Sequence, residues 1–524
     1  MSGIYLNEDN SHFFIFHPPE EMTVAGLNAW VDQYANTQVR QLMLCVNGQR
    51  TTVDSKVRQP VWDGFDPEAG NDQPFFAGVT DQPWPRPEGA RAHFRRRINN
   101  ALLLHQRGLD PYRQWIERSR MHGISPWISS RMNDVHFVDE PENCIHDRFW
   151  KEHPEYRRAP WRKGDWFGHT LDYGRPEVRA FQMAYLREMV FRYDLDGLEL
   201  DWMRFGQHFK PGAEEEGCKI LTEFVADVRR LLDERQRELK HPIRLGVRVP
   251  SRPDTARGLG MDAVTWARRG LIDVLVATPF LFIEFDMPIE LWKQLLDGTK
   301  VSLSAGLDLA LRPYDEYPSH VVNLELVCGA ATSLLHRGAD SIYLFNYMDK
   351  LATPEKEQAY RRLLREVGSI ETMSGKSRRH VVNSPDHYAP GEGRTIVLPR
   401  VCKPGEFTEF RIPIGPVPQK GQRTQVRLAT KEQETAGPEQ YMIRVNGEVC
   451  GFSGPVTPKP PWKVPTHAFD VPNSALQSGY NVVEIQNTSA QDICFVWMEI
   501  AVSDGQGAWS TSGIEVESFC FWPE

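Results

Sequence analysis

The sequence predicts a (β/α)8 TIM barrel followed by an all-β jelly-roll sandwich, and two observations indicate this order. From about residue 12 to 370, short apolar runs alternate with amphipathic helical stretches, which is the pattern of βαβ units and a parallel sheet. From about Thr395 onward the helical period is replaced by short alternating runs, and Asn446-Gly447 is a strong hairpin turn signal. A chain of 524 residues also exceeds one ordinary domain.

Eight apolar runs are predicted to be the barrel strands. They are Phe13–His17, Leu42–Asn47, Ile124–Ser130, Gly197–Trp202, Arg244–Pro250, Val274–Thr278, Val301–Leu307 and Ser341–Tyr347. Eight such units in about 350 residues fit a closed barrel better than an open doubly wound sheet. No glycine-rich phosphate loop follows the first run, which disfavours a dinucleotide-binding sheet.

The barrel is predicted to occupy residues 1–375, a linker residues 376–394 and the sandwich residues 395–524. The linker segment is polar and contains Pro385, Pro390 and Gly393. Four runs in the sandwich resemble the galactose-binding-like modules that are appended to many carbohydrate enzymes. These runs begin at Ile443 (IRVNGE), Phe469 (FDVP), Gly479 (GYNVVEI) and Trp497 (WMEI). The resemblance implies a carbohydrate-binding accessory domain.

Composition and charge disfavour several classes of partner. The net charge of −9 disfavours nucleic acid, and we interpret the short run Arg95-Arg96-Arg97 as a solvated helix face. No stretch of 18 apolar residues is present, so we expect no membrane span. The polar segment Met1–Asn10 lacks the plan of a signal peptide, so we expect a cytoplasmic protein unless a leader has been removed.

The cysteines and the other metal-binding residue types predict no cofactor. The eight cysteines form no CxxC pair, so we expect reduced thiols and neither a zinc site nor a disulfide framework. Asp134 and His136 could be two ligands of a metal, but two residues are too few for a site. The pattern leaves the oligomeric state open.

Two connections are far longer than ordinary βα turns, and both follow predicted strands. One runs from Asn47 to about Glu88 and the other from Arg131 to about Arg175, so both should lie at the C-terminal mouth of the barrel. Each carries five aromatic residues: Trp62, Phe65, Phe75, Phe76 and Trp84 in the first, and Trp150, Trp161, Trp166, Phe167 and Tyr173 in the second. Such rings can form sugar subsites, with Trp166 as a substrate-binding candidate, or can anchor the loops to the barrel.

The fourth predicted strand carries two carboxylates on one face. Because side chains alternate along a strand, Leu198 and Leu200 should point outward and Glu199 and Asp201 into the barrel. Buried carboxylates are costly, so they are expected to be paired or used. Asp201 is nearer the C-terminal end of the strand and is the leading catalytic candidate. Glu199 should position an arginine or bind a substrate hydroxyl.

The sequence from Asp196 to Phe205, DGLELDWMRF, resembles the fourth-strand signature D-G-[hydrophobic]-x-[hydrophobic]-D-x-x-R-[FY] of glycoside-hydrolase-like barrel families. The segments Leu171–Arg179 and Ser130–His136 are similar to the same group. The resemblance implies a glycosidase-type barrel, with Asp201 as the family carboxylate and Arg204 as the adjacent arginine of the substrate site. A chitinase-type or amylase-type mechanism is disfavoured, because Met203 and Glu199 replace the Glu and the Arg that those mechanisms need.

A second carboxylate should come from the end of another strand, because glycoside hydrolysis normally uses two. Glu284 is preferred as the acid, since it lies on an apolar loop where desolvation would raise its pKa. Asp308 is the next candidate, and Asp286 and Asp349 are further ones.

Several polar groups are expected to surround the same mouth and to bind substrate: His17, Asn47, Arg131, Asn133, Arg248 and Asn346. Arg131 and Arg248 could bind a carboxylate or sulfate on an acidic sugar. The alternative is that they pair with Glu199 or Asp201 as a buried ion-pair layer.

These observations predict a glycoside hydrolase that cleaves a poly- or oligosaccharide by carboxylate catalysis centred on Asp201. One alternative is a non-catalytic carbohydrate-binding protein on a degenerate barrel, which the absence of a family Glu at Met203 motivates. Another is a different barrel enzyme, such as a lyase or a metal-dependent hydrolase.

Overall fold

A computed structural model describes residues 3–80, 89–316, 319–348, 354–431, 437–456 and 466–509. Its first part is a closed barrel of eight parallel strands, in which the last strand pairs with the first. The barrel strands are β1 (Ile4–Glu8), β2 (Val39–Cys45), β3 (Ser125–Arg131), β4 (Gly197–Asp201), β5 (Arg244–Pro250), β6 (Val274–Thr278), β7 (Ser302–Leu307) and β10 (Ser341–Leu344). Two short strands, β8 (Ala310–Leu311) and β9 (His320–Val321), pair with each other after β7.

The first predicted strand is wrong. The barrel begins with Ile4–Glu8, and most of the run Phe13–His17 belongs to helix α1 (His12–Phe16). A short apolar run between turns cannot be assigned to strand or helix by periodicity alone. Here the helix stops at His17 because Pro18 disfavours helical backbone in the residue before it. The other seven predicted strands coincide with barrel strands, and β5 and β6 have the predicted bounds.

Helices cover the outside of the barrel. They are α2 (Val24–Asp32), α3 (Ala90–Gln106), α4 (Pro111–Met121), α5 (Arg148–Glu152), α6 (Pro176–Arg192), α7 (Glu214–Leu239), α8 (Pro253–Gly258), α9 (Ala263–Arg268), α10 (Ile289–Leu295), α11 (Leu324–His336), α12 (Pro354–Glu366) and α13 (Ile370–Met373). Short 3-10 helices lie at Pro19–Glu21, Pro74–Phe76, Pro154–Tyr156, Trp166–His169, Pro438–Gln440 and Asn473–Ala475. Among the described residues, no helix has both the length and the apolar composition that crossing a bilayer requires.

The barrel interior is filled by side chains from alternate strand positions, as expected for this fold. At its N-terminal end, the Trp127 indole fills the space beside Gly197, where a Cβ atom would lie only 2.3 Å from the ring. Leu198 and Leu200 belong to the apolar layer between the strands and the helices. Glu199 therefore points inward with Asp201, as the alternation predicted.

The second part of the chain is a β-sandwich. Its strands are β11 (Arg378–Val381), β12 (Arg400–Cys402), β13 (Phe407–Pro413), β14 (Thr424–Thr430), β15 (Tyr441–Val445), β16 (Glu448–Val449), β17 (Gly451–Val456), β18 (Thr466–Asp470), β19 (Tyr480–Asn487) and β20 (Ile493–Val502). One sheet has the order β11-β20-β14-β18-β17, with β12 also on β20, and the other has the order β13-β19-β15-β16. Asn446 and Gly447 have φ of 50° and 89° and form the predicted hairpin turn between β15 and β16. Residues 510–524 of the predicted sandwich lie outside the described residues.

The interpretation of residues 376–394 as a simple linker needs correction. Strand β11 lies within this segment and pairs with β20. The following residues 383–392, here called the strap, pack on the barrel. The Asp386 carboxylate accepts hydrogen bonds from the backbone N–H groups of residues 280–282, and Glu392 accepts one from Thr255 at 2.8 Å. These contacts join the sandwich to the loops that follow β5 and β6.

Candidate active site

Asp201 lies at the C-terminal end of β4 and is 1% exposed. Its Oδ2 accepts a hydrogen bond from Arg248 Nη1 at 2.7 Å, and its Oδ1 accepts from the backbone N–H groups of Met203 and Arg204, both at 3.0 Å. These donors stabilise a negative charge on the carboxylate. The buried ion pair between Asp201 and Arg248 is one of the two arrangements that the sequence left open.

Arg248 is held between this carboxylate and an aromatic ring. Its guanidinium carbon lies 3.8 Å from the centroid of the Phe345 ring. Burial opposes the charge of Arg248, but Asp201 together with the other acidic groups nearby, Tyr343, Glu199 and Asp308, outweighs burial and raises the pKa of the guanidinium. Arg248 is therefore a permanent cation beneath the mouth.

Glu199 lies one layer deeper than Asp201 and is fully buried. Its Oε1 accepts hydrogen bonds from Ser129 Oγ at 2.7 Å and from Tyr343 Oη at 2.8 Å, while its buried Oε2 has no hydrogen-bond partner among the described residues. Burial, together with the charge of Asp201, raises the pKa of Glu199. Its hydrogen bonds come from hydroxyl groups rather than from an arginine, which was one of the two roles expected from the sequence.

Asp308 directly follows β7 and is 1% exposed. Its Oδ1 accepts hydrogen bonds from the backbone N–H of Leu309 at 2.7 Å and from Asn346 Nδ2 at 3.2 Å. Its Oδ2 is buried, and no described residue offers it a hydrogen bond. Burial raises the pKa of Asp308 to about 7, although the nearby guanidiniums of Arg204 and Arg248 oppose the shift. This carboxyl group therefore keeps its proton up to neutral pH.

Arg204 is oriented by a histidine from the loop after β3. Arg204 Nη2 lies 2.8 Å from His136 Nε2, and because arginine can only donate, His136 Nε2 must accept. His136 is then neutral and donates its Nδ1–H to Asp134 Oδ1 at 2.8 Å. Burial lowers the pKa of His136, which favours this neutral form.

Arg131, at the end of β3, is used by two carboxylates. It donates to Asp134 Oδ2 at 3.0 Å and also to Asp9, which follows β1. Burial opposes the charge on Asp134, but His136 and Arg131 outweigh it and lower the pKa of this carboxyl group. The Cα atom of Arg131 pairs in register with that of Asp201, so this ion-pair cluster is adjacent to the catalytic candidate.

Glu284 lies apart from these carboxylates. Its oxygens accept hydrogen bonds from Ser251 Oγ at 2.6 Å and from Arg252 Nη2 at 2.7 Å, on the side of the barrel that the strap covers. Burial raises the pKa of Glu284, as the sequence predicted. None of its described hydrogen bonds or ion pairs reaches Asp201 or Asp308, so the structure brings Asp308, and not Glu284, to Asp201's group of arginines.

The other carboxylate candidates are in different places. Asp286 Oδ1 accepts from Tyr480 Oη at 3.0 Å and pairs with Arg337 at 3.1 Å, at the contact with the sandwich. Asp349 lies outside the described residues.

Four predicted substrate-binding side chains mainly support loops. His17 caps the end of α1 rather than a strand and bonds Glu21 at 2.6 Å, because the first predicted strand is a helix. Asn47 accepts from Ser130 Oγ at 3.0 Å and donates to the Arg131 carbonyl at 3.0 Å. Asn133 accepts from the Leu171 backbone N–H at 2.8 Å. Trp166 packs beside the apolar cluster that links the long second loop to the loop after β4. Asn346, by contrast, contacts Asp308 directly.

Most of the aromatic residues in the two long loops anchor those loops. Phe65, Phe75 and Phe76 pack edge to face on one another, and the buried Trp150 donates its indole N–H to the His169 carbonyl at 2.9 Å. Trp161 is the exception, because 60% of its surface is exposed. Trp84 lies outside the described residues.

Sequence reasoning missed Asp9, Tyr343 and Phe345. Tyr343 and Phe345 occupy alternate positions in and just after the last barrel strand, so the inward alternation could have found them. Asp9 was missed because β1 was placed too late in the chain. Among the residues that the structure describes, no group of three or more His, Cys, Asp or Glu side chains is arranged to hold a metal ion.

No protein-family model matches the chain, and no curated protein is similar to it in sequence. Solved structures with a similar arrangement include a cycloisomaltooligosaccharide glucanotransferase from Paenibacillus sp., with a TM-score of 0.34 and 11% identity over 94% of this chain and 56% of that one. An α-L-fucosidase isoenzyme 2 from Paenibacillus thiaminolyticus has a TM-score of 0.41 and 12% identity over 71% of this chain and 49% of that one.

A third similar structure is an α-fucosidase from Thermotoga maritima, with a TM-score of 0.35 and 10% identity over 92% of this chain and 94% of that one. The present chain spans about half the length of the first two proteins. Likenesses of this size do not bear on what the chain does.

Proposed function

We propose that this protein is a glycoside hydrolase in which Asp201 is the nucleophile or base and Asp308 is the general acid. The observation that carries the proposal is the contrast between two carboxyl groups at the ends of β4 and β7. Asp201 receives a guanidinium and two backbone N–H groups, whereas Asp308 is desolvated and has a pKa of about 7. Two carboxyl groups with opposed surroundings are what acid-assisted cleavage of a glycosidic bond needs.

In the proposed reaction, Asp308 gives its proton to the glycosidic oxygen as the bond to the anomeric carbon breaks. Asp201 acts in one of two ways. It bonds to that carbon, and water then hydrolyses the Asp201–sugar bond while the Asp308 carboxylate takes the proton from water, or it accepts the proton from a water that attacks the carbon directly. Arg204 and Arg248 lie close enough to lower the pKa of Asp308, so they stabilise the carboxylate that remains after proton transfer. Asn346 holds the same group through Oδ1.

The polar groups around the pair support binding of a poly- or oligosaccharide. Arg204 is kept in place by His136, and the exposed Trp161 ring offers a flat apolar face near Lys210. Sugar rings present apolar C–H faces together with hydroxyl groups, and such rings pack on exposed aromatic side chains. We therefore propose that the loops after β3 and β4 hold the substrate.

The test is the activity of Asp308→Asn against a panel of defined poly- and oligosaccharides, measured as the release of reducing ends. An amide is nearly the same size as the protonated acid and is also uncharged, so this variant should fold normally. Removing a general acid should lower kcat by about 10²–10⁴-fold. Glu284→Gln is the matched control, because Glu284 is equally buried but lies apart from Asp201. Normal turnover by Asp308→Asn, or loss only in Glu284→Gln, would overturn the assignment of the acid.

A second candidate function is carbohydrate binding without catalysis. The observation that favours it is that both oxygens of the buried Asp201 are already engaged. Arg248 binds Oδ2, and backbone N–H groups bind Oδ1. Under this alternative, glycans from the panel bind to the wild-type protein, no reducing ends appear, and Asp308→Asn binds as tightly as wild type.

A further inference from the structure

The helix α3 places a further arginine at the mouth of the barrel, in addition to Arg131, Arg204 and Arg248. Phe94, on this helix, lies 5.5 Å from Phe137 in the loop after β3, and Asn100 donates to the carbonyl groups of Phe14 and His17 at 2.9 and 3.0 Å. Arg97 lies three residues from each of them and therefore on the same, inward face of the helix. The run Arg95-Arg96-Arg97 is thus not simply a solvated face, because Arg97 is half-buried while Arg96 is exposed.

The carboxylates close to Arg97 are already used by other groups. The charges that act on Arg97 include Asp9, Arg131 and Asp134. Asp9 and Asp134 both pair with Arg131, and their remaining bonds go to Ser11 and His136. Arg131 is therefore not available for a substrate anion, contrary to one interpretation of the sequence, and the same holds for Arg248.

Arg97 itself donates no hydrogen bond to these carboxylates, although the charge of Asp9 acts on it. Within the described part of the chain it forms no hydrogen bond or ion pair, and its Nε is buried without a partner. A cation that is partly removed from water is normally paired. A guanidinium that has no hydrogen-bond partner among the described residues, beside carboxylates that bond to other groups, has donors left for an anion.

We propose that Arg97 binds an oxyanion carried by the sugar, so that the substrate is an acidic glycan with a uronic acid carboxylate or a sulfate group. This inference rests on the proposed function for its substrate, but it concerns binding rather than the chemical step. The position fits, because Arg131 lies in register with Asp201 and is close enough for its charge to act on Arg97. The anionic group would then bind to one side of the reacting bond.

The experiment is titration calorimetry of the full chain with three probes: an oligogalacturonate, a sulfated oligosaccharide and a neutral cello-oligosaccharide. Arg97→Gln should weaken binding of one or both acidic probes by about tenfold or more, since a hydrogen bond to a charged group is lost. Binding of the neutral probe should not change. The acidic probe that responds identifies the anion as carboxylate or sulfate. Arg96→Gln, one residue away and exposed, is the control and should bind all three probes like wild type.

Equal affinity of Arg97→Gln and wild type for both acidic probes, or failure of the wild type to prefer either acidic probe, would overturn the inference. A structural role for Arg97 is separated by thermal unfolding: removing a cation that donates no hydrogen bond to the protein should change the Tm little, and a lower Tm with unchanged affinity also counts against the site. Acidic-glycan binding that depends on Arg97 without any turnover would leave this inference standing and refute the proposed hydrolase. Turnover of neutral glycans by both wild type and Arg97→Gln would leave the proposed hydrolase standing and refute this inference.

Discussion

The two ends of the barrel use charged residues in different ways. At the N-terminal end, Asp194 and Asp196 pair with Arg120 around an open cleft of about 440 Å³, and these side chains keep between 32% and 51% of their surface exposed. At the C-terminal mouth, Asp201 and Arg248 are both 1% exposed. Exposed ion pairs contribute little to stability, whereas a buried charge that loses its partner is costly.

The difference shows that charged residues fasten the strands at the N-terminal end of the barrel and form a candidate site at the C-terminal mouth. Asp196 belongs to the motif that also contains Asp201, yet it accepts from Ser125 Oγ at 2.9 Å and from Arg120 at 2.7 Å, as a residue that fastens strand ends would. The mouth, by contrast, keeps Glu199 and Asp308 in surroundings that raise their pKa values. Such perturbed groups are typical of functional sites.

The largest expected effect comes from breaking the buried pair. Asp201→Asn leaves the Arg248 cation without its partner and should lower the free energy of unfolding by about 3–5 kcal/mol. Asp194→Asn, at the other end of the barrel, should change it by less than about 1 kcal/mol. Urea unfolding of both variants measures the contrast. Similar losses in the two variants would show that the two ends do not differ.

A double variant separates stability from activity. Asp201→Asn combined with Arg248→Met removes both charges, so most of the lost stability should return, while turnover on a responsive glycan should stay absent. Recovery of turnover in the double variant would show that Asp201 is only a structural partner of Arg248.

A smaller effect is expected from the titration of Asp308. Because the pKa of its carboxyl group is about 7 in the folded state and near 3.8 when unfolded, the unfolded protein binds fewer protons between these values. The stabilising contribution is complete below the unfolded pKa and is lost as the pH rises through 7. Between pH 5 and 8, the free energy of unfolding of wild type should fall by about 2–3 kcal/mol through this group, and Asp308→Asn should not show this loss. Urea unfolding at both pH values, with wild type beside the variant, measures this difference, and parallel pH curves would contradict the assigned pKa.

The smallest effect concerns the support of Arg204. His136→Phe removes the acceptor at 2.8 Å and should raise KM about fivefold, the equivalent of one hydrogen bond of roughly 1 kcal/mol. The kcat value should change less, because the variant leaves Asp201 and Asp308 in place. His136→Gln, whose side-chain oxygen can still accept, should recover part of the loss. An equal fall in kcat with no change in KM would show that His136 does not act through Arg204.

Much of the fold could be predicted from residue patterns. Alternation on β4 placed Glu199 and Asp201 inside the barrel, and Asn446-Gly447 marked the hairpin correctly. The first strand was missed because the run Phe13–His17 is as apolar as a strand. That Ile4–Glu8 is the barrel strand is seen only from its pairing with both β2 and β10. The strand β11 was missed because a polar segment with nearby prolines has no local sign of its partner β20.

The site could be predicted only in part. Glu284 was preferred because its loop is apolar and a raised pKa was expected there, whereas Asp308 was only the next candidate. The pairing of Glu284 with Arg252, and the position of Asp308 near Arg204 and Arg248, depend on residues far away in the sequence. The hydrogen bonds that leave Arg97 without a partner among the described residues likewise join Asp9, Arg131 and Asp134, which are far from it in the sequence.

By itself, the amino-acid order determined the period of each segment, and so the barrel, the sandwich and the inward face of β4, because these depend on neighbours two to four residues apart. Tertiary structure alone decided which carboxyl group keeps a proton and which arginine, within the described part of the chain, donates no hydrogen bond. Those outcomes depend on burial and on charges brought together from separate strands, and both are set only when the barrel closes.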